Sequence, residues 1–136
     1  MATVRVLIDT NVLVSAVLFG GVPGAIVDAA RTGSVTGVVS LHILGEFRDV
    51  LTRPRFGVKP GVADALAEEI ASFCEVVAVE CAVGTWSADA DDDPVVEAAI
   101  AADADVVVTG DAHLLALEVR GIRFTTPASL AAQLGV

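Results

Sequence analysis

Asp9, Glu46, Asp92 and Asp111 are the residues of this chain whose types and positions point to chemistry. Asp9 closes the apolar run Val4-Arg-Val-Leu-Ile8, and Asp111 lies two residues past Asp105-Val-Val-Val-Thr109. Glu46 sits near the middle of an amphipathic stretch opening at Ser40, and Asp92 belongs to the cluster Asp89-Ala-Asp-Asp-Asp93 ahead of Pro94. Carboxylates gathered without a base repel one another, and some take up protons. Divalent cations remove that conflict. Oxygen donors with no His or Cys set suit Mg²⁺ or Mn²⁺ better than zinc. Each acid taken alone also has an ordinary use. A strand-end Asp caps helices, Asp93 before Pro94 has the pattern of an N-cap followed by proline, and a lone helical Glu is commonly surface. Only the conjunction points to a site.

The elements that must position these acids are readable from periodicity. β-branched or apolar runs at 4–9, 35–39, 76–79 and 105–109 read as strands, with a short edge strand at 122–124. Between them lie helical patterns: 11–18 stopped by Gly20-Gly21, a second with Pro23 near its start running to Arg31, and a third capped by Ser40 and ended by Pro54. Further helices are expected at 62–73, 94–102, 112–119 and 127–134. Short apolar strands alternating with helices predict a parallel sheet covered on both faces. Right-handed crossovers line up all carboxyl ends of the strands along one edge, where open α/β sheets bind ligands. Asp9 and Asp111 belong at that edge, and Asp92 and Glu46 reach it if their helices start there.

Composition sets the limits. At 136 residues the chain is expected to form one domain, 1–136, and 54% apolar residues exclude a disordered tail. No run of about 18 apolar residues escapes interruption, so no membrane span is expected. Asp9 falls too early for a signal peptide's apolar region, which points to the cytoplasm. Cys74 and Cys81 have no Cys-x-x-Cys spacing and read as buried thiols in a reducing compartment. Eighteen acids against eight bases give a net charge of −10, unevenly spread. Residues 60–118 hold fourteen acids and no base. Such a chain repels nucleic acid at long range, so a polyanionic substrate needs divalent cations or a local basic strip. Arg48, Arg53, Arg55 and Lys59 are candidates for that strip, or are simply solvated surface.

Four blocks in order carry a resemblance to a known family: Leu7-Ile-Asp-Thr-Asn-Val-Leu13, Ser40 to Phe56 around Glu46, Asp89-Ala-Asp-Asp-Asp-Pro-Val-Val-Glu-Ala-Ala99, and Ala104-Asp-Val-Val-Val-Thr-Gly-Asp-Ala-His-Leu-Leu115. Together they resemble a PIN-domain nuclease, of the branch of VapC-like toxins from toxin–antitoxin systems. The resemblance implies a three-layer α/β/α sandwich with a mainly parallel sheet of about five strands, cutting RNA with Mg²⁺ or Mn²⁺. It places the family's first acid on Asp9, its second on Glu46 and its fourth on Asp111. The third falls on Asp92, with Asp93 and Asp89 as neighbours. Thr10, Asn11 and Thr109 match the family's polar residues beside the acids. Arg48, Arg53 and Arg55 are candidates for tracking RNA, or for docking an acidic antitoxin segment. A cognate antitoxin and a homodimer are further expectations of the resemblance.

Competing classes fit less well. A phosphatase of the haloacid dehalogenase type needs a second Asp two residues after the first, where Asn11 stands, and a lysine near the site; the only lysine is Lys59. A phospho-receiver domain lacks its lysine too. A non-catalytic binding module on the same fold is disfavoured by the presence of all four acids. His42 and His113 read as surface histidines, and Trp86 as packing rather than base stacking.

Overall fold

A computed structural model of the chain describes residues 3–78 and 93–136. Its five strands are β1 (Arg5–Ile8), β2 (Thr36–Ser40), β3 (Glu75–Val77), β4 (Val106–Val108) and β5 (Arg123–Thr125). All pair in parallel in the order β3-β2-β1-β4-β5. The central pairings set Val6 opposite Gly37 and Val106, and Leu7 opposite Val38 and Val107. Val6, Leu7, Ile8, Val38, Val39, Val107 and Val108 are wholly buried. That matches their sequence, since a parallel strand covered on both faces is apolar at every position.

The helices are α1 (Thr10–Phe19), α2 (Gly21–Arg31), α3 (Leu41–Thr52), α4 (Pro60–Phe73), α5 (Asp93–Ala101), α6 (Ala112–Leu115) and α7 (Pro127–Leu134). α1 packs on α2 and α3, α3 on α4, and α2 on α7. With right-handed crossovers, the leftward path β1-β2-β3 puts α1 to α4 on one face, and the return to β4 and β5 puts α5 and α6 on the other. Ile43, Phe47 and Leu51, spaced along one side of α3, are wholly buried. Gly37 in β2 admits nothing larger than glycine, because a Cβ there would stand 2.7 Å from Cys74 Sγ and 2.8 Å from Ala30 Cβ. Cys74 is accordingly a buried thiol, pushed up to about 11 by burial. Cys81 lies outside the described residues.

Two elements depart from the sequence expectation. The helix expected at 112–119 ends after Leu115. An antiparallel bridge between Val119 and Ile122 then closes a tight turn through Gly121 at φ +84°. The chain has to reverse there to set β5 beside β4, and that requirement overrides the helical spacing of Leu114, Leu117 and Glu118. α4 starts two residues early, with Pro60 in its first turn, a position that suits proline. Among the described residues no single helix is long and apolar enough to cross a membrane.

Candidate active site

The strand order reverses direction at β1: β2 lies on one side, and β4, reached only after β3, lies on the other. A crevice outside the carboxyl ends of β1 and β4 is where such a sheet binds ligands. The buried polar side chains lie along this edge. Among the described residues they are Asp9, Thr10, Ser40, Thr109 and Thr125, each at or just past the carboxyl end of a strand.

Asp9 stands at the centre, 7% exposed. It is the N-cap of α1, with Oδ1 accepting from the Thr10 backbone N–H at 2.8 Å. Its other oxygen, Oδ2, accepts from the Thr109 hydroxyl at 2.8 Å. Thr109, wholly buried, in turn accepts the backbone N–H of Asp111 at 3.0 Å, so one hydroxyl ties the ends of β1 and β4 together. Burial holds the Asp9 carboxyl above the ordinary carboxylate range. The bonds from Thr109 and Thr10 pull it down, while Glu46 and Asp111 push it up again. Both neighbouring acids therefore act on Asp9 through space.

Glu46 arrives from β2. Ser40 ends that strand and caps α3, accepting from the Ile43 N–H at 3.0 Å, and so starts the helix at the carboxyl edge. Thr10 Oγ1 donates to Glu46 Oε1 at 3.2 Å, and His42 Nε2 lies 3.2 Å from the same oxygen, one turn earlier on α3. Asp111 caps α6, its Oδ1 accepting from the His113 N–H at 2.7 Å. Among the described residues no lysine or arginine pairs with Asp9, Glu46 or Asp111. Nor do any three metal-ligating side chains there close tightly enough to hold an ion. The remaining acid of the set, Asp92, lies outside the described residues, as do Asp89, Trp86 and the side chain of Asp93.

The structure thus brings Asp9, Thr10, Glu46, Thr109 and Asp111 to one place, with Asn11 exposed in the first turn of α1. The basic strip divides. Arg48 faces Asp64 of α4 at 3.8 Å and Arg53 pairs with Asp49 at 2.9 Å. Arg53 and Arg55 border a cleft that includes Asn11, and Arg48 does not. One feature escaped the sequence: Glu97 Oε2 on α5 is buried with no hydrogen-bond partner among the described residues. A carboxylate one turn into an alanine-rich helix reads as surface, so nothing in its spacing marks it.

The family model described as PIN domain matches residues 5–113. No curated protein matches the sequence. Among solved structures, a chain of VapBC2 from Rickettsia felis, crystallised bound to a DNA fragment from their promoter, superposes with a TM-score of 0.63 at 14% identity. That match covers 90% of this chain and 98% of the other. PAE2754 from Pyrobaculum aerophilum gives a TM-score of 0.55 at 18% identity, covering 97% and 90%. The PIN domain of human SMG5 gives 0.54 at 11% identity, covering 95% and 97%. At these identities the likeness is one of fold.

Proposed function

The chain belongs to the PIN-domain family, and from that premise and the acidic edge of the sheet we propose that it is a metal-dependent endoribonuclease, the toxin of a toxin–antitoxin pair. The observation that carries the reading is Asp9, a carboxylate buried beside two further acids with no lysine or arginine partner among the described residues. Such a cluster is costly as it stands and is relieved by a divalent cation. The donor set fits a hard ion: carboxylate oxygens, with both Asp9 oxygens already oriented by one donor each and keeping a second lone pair. Asp9, Asp111 and Asp92 would hold Mg²⁺ or Mn²⁺, with Glu46 beside them. When bound, the ion supplies Lewis acidity toward the phosphodiester and makes water a competent nucleophile at neutral pH.

The protein's own groups do the rest. Thr109 fixes the Asp9 carboxylate in one rotamer and ties Asp111 to it. Thr10 holds Glu46 by Oε1, leaving that carboxylate's other oxygen to accept a proton from attacking water. Asn11 stands where its amide can meet the substrate. Thiol, serine or histidine nucleophiles are not needed, and no covalent intermediate is expected.

A cognate antitoxin and a homodimer complete the proposal, in keeping with the fold match to the VapBC2 chain. So does a single domain working in the cytoplasm, where a buried thiol such as Cys74 stays reduced. Calorimetric titration with Mn²⁺ tests the site itself. Binding to the wild type that is lost in Asp9→Asn and in Asp111→Asn supports the reading. Equal binding to all three chains would reject these acids as the metal site.

A further inference from the structure

Beside Asn11 a cleft of about 320 Å³ runs between α1 and the turn that follows α3, bordered by Phe19, Val50, Arg53, Arg55 and Phe56. We propose that this cleft is the track for unpaired RNA leading to the acidic site, with a base stacked on Phe19 and the adjoining phosphate held by Arg55. The inference rests on the ribonuclease reading above and adds where the strand lies and that it must be single-stranded.

Three observations point the same way. The first is continuity. α1 begins at Thr10, against the acids, and ends at Phe19, about 13 Å further on at the helical rise per residue. A strand lying along it delivers a phosphodiester to Asp9 while its neighbouring nucleotides occupy the cleft. The second is charge. Among the described residues no carboxylate borders this cleft, in a chain of net charge −10. Two other concavities among the described residues mix the signs, Asp103 and Asp105 with Arg120 in one and Glu118 with Arg120 and Arg123 in the other. The third is the pairing of flat apolar surface with cations. Phe19 is 77% exposed, the most exposed large apolar side chain among the described residues, and the Arg55 guanidinium lies 5.0 Å over the Phe56 ring. Arg53 is engaged by Asp49, whereas Arg55 forms no ion pair among the described residues and is available to a phosphate. Aromatic faces interleaved with arginine are what binds single strands without reading sequence. A duplex has no free base face to offer.

The experiment is steady-state cleavage of a fluorescein-labelled, mixed-sequence single-stranded RNA in Mn²⁺ by the full chain and by Phe19→Ala, Phe19→Trp, Phe19→Leu, Arg55→Gln and Arg120→Gln. Both Phe19 and Arg55 are exposed, so thermal melts of the variants should match the wild type. Phe19→Ala and Phe19→Leu are expected to raise KM by roughly 5- to 100-fold, the effect falling on KM rather than kcat. Phe19→Trp, which keeps a stacking face, should restore it. Arg55→Gln should raise KM and flatten the dependence of log KM on log salt by about 0.7. Arg120→Gln, outside the cleft, should leave KM as it was. Unchanged KM in both Phe19→Ala and Arg55→Gln, with metal-dependent cleavage intact, would overturn the track and leave the cleft to a protein partner. Recovery by leucine as well as by tryptophan would overturn stacking. Absence of Asp9-dependent cleavage by the wild type would instead overturn the ribonuclease reading, and the track with it.

Discussion

Asp9 receives two hydrogen bonds and still lies above the ordinary carboxylate range, because burial and the two neighbouring acids outweigh the donors. The sign of the consequence is fixed. A carboxyl whose folded pKa is raised costs stability where it is ionised, above its folded pKa. That cost disappears as pH falls below the unfolded value near 3.8. Asp9→Asn should therefore raise the Tm of the metal-free protein at pH 7, with the gain shrinking toward pH 4. The amide keeps its oxygen for the Thr10 N–H, and Thr109 Oγ1 can turn to accept from the amide nitrogen. A Tm at pH 7 equal to or below that of the wild type would contradict this account of the site. Thr109→Val removes both the donor to Asp9 and the acceptor for Asp111. It should lower Mn²⁺ affinity roughly 10- to 100-fold, measured by calorimetry; unchanged affinity would mean that the link between β1 and β4 is only structural. Of these residues, Asp9 and Asp111 were legible in the sequence because each follows an apolar strand. The bond from the Thr109 hydroxyl to Asp9 was not, since it joins residues 100 positions apart.

At the scale of elements, the site depends on where α3 starts. Ser40 ends β2 and caps α3 with the same residue, so Glu46 falls one and a half turns from the sheet edge, opposite Thr10. Ser40→Ala should cost about 1 kcal/mol in urea unfolding and weaken the placement of Glu46. Gly37→Ala should cost more, about 1–3 kcal/mol, because both neighbours of its Cβ, Cys74 and Ala30, are packed and have nowhere to go. A Gly37→Ala chain as stable as the wild type would show that β2 and α4 shift freely. Both the strand alternation and the Ser40 cap could be read directly from the chain. The short α6 could not, because 112–119 has helical spacing and only the need to return β5 to the sheet breaks it. The cleft was equally hidden: Phe19 and Arg55 are 36 positions apart, and only the packing of α1 on α3 brings them together.

Across the whole molecule, a chain of net charge −10 has, among its described residues, gathered the buried polar residues at one edge of an otherwise apolar sheet. The charge opposes a polyanion at long range, and the acidic edge opposes it at short range, unless cations intervene. Mn²⁺ should therefore raise the Tm of the wild type, by an amount corresponding to about 2.7 kcal/mol at a hundred times its Kd, and EDTA should reverse the rise. The order β3-β2-β1-β4-β5 puts Asp9 and Asp111 just past the ends of neighbouring strands, and that order was not read from the sequence. Periodicity alone gave parallel strands without their order.

The central claim is that Asp9 holds a catalytic metal, and cleavage of single-stranded RNA by wild type and Asp9→Asn, each with Mn²⁺ and with EDTA, tests it most directly. Because Asp9→Asn keeps the shape of the side chain and purifies identically, it also reveals any contaminating nuclease. Cleavage by the wild type in Mn²⁺, abolished by EDTA and reduced in Asp9→Asn by well over the roughly 100-fold that loss of a supporting bond costs a metal site, is the predicted result. Cleavage that persists undiminished in Asp9→Asn, or that proceeds in EDTA, would contradict it.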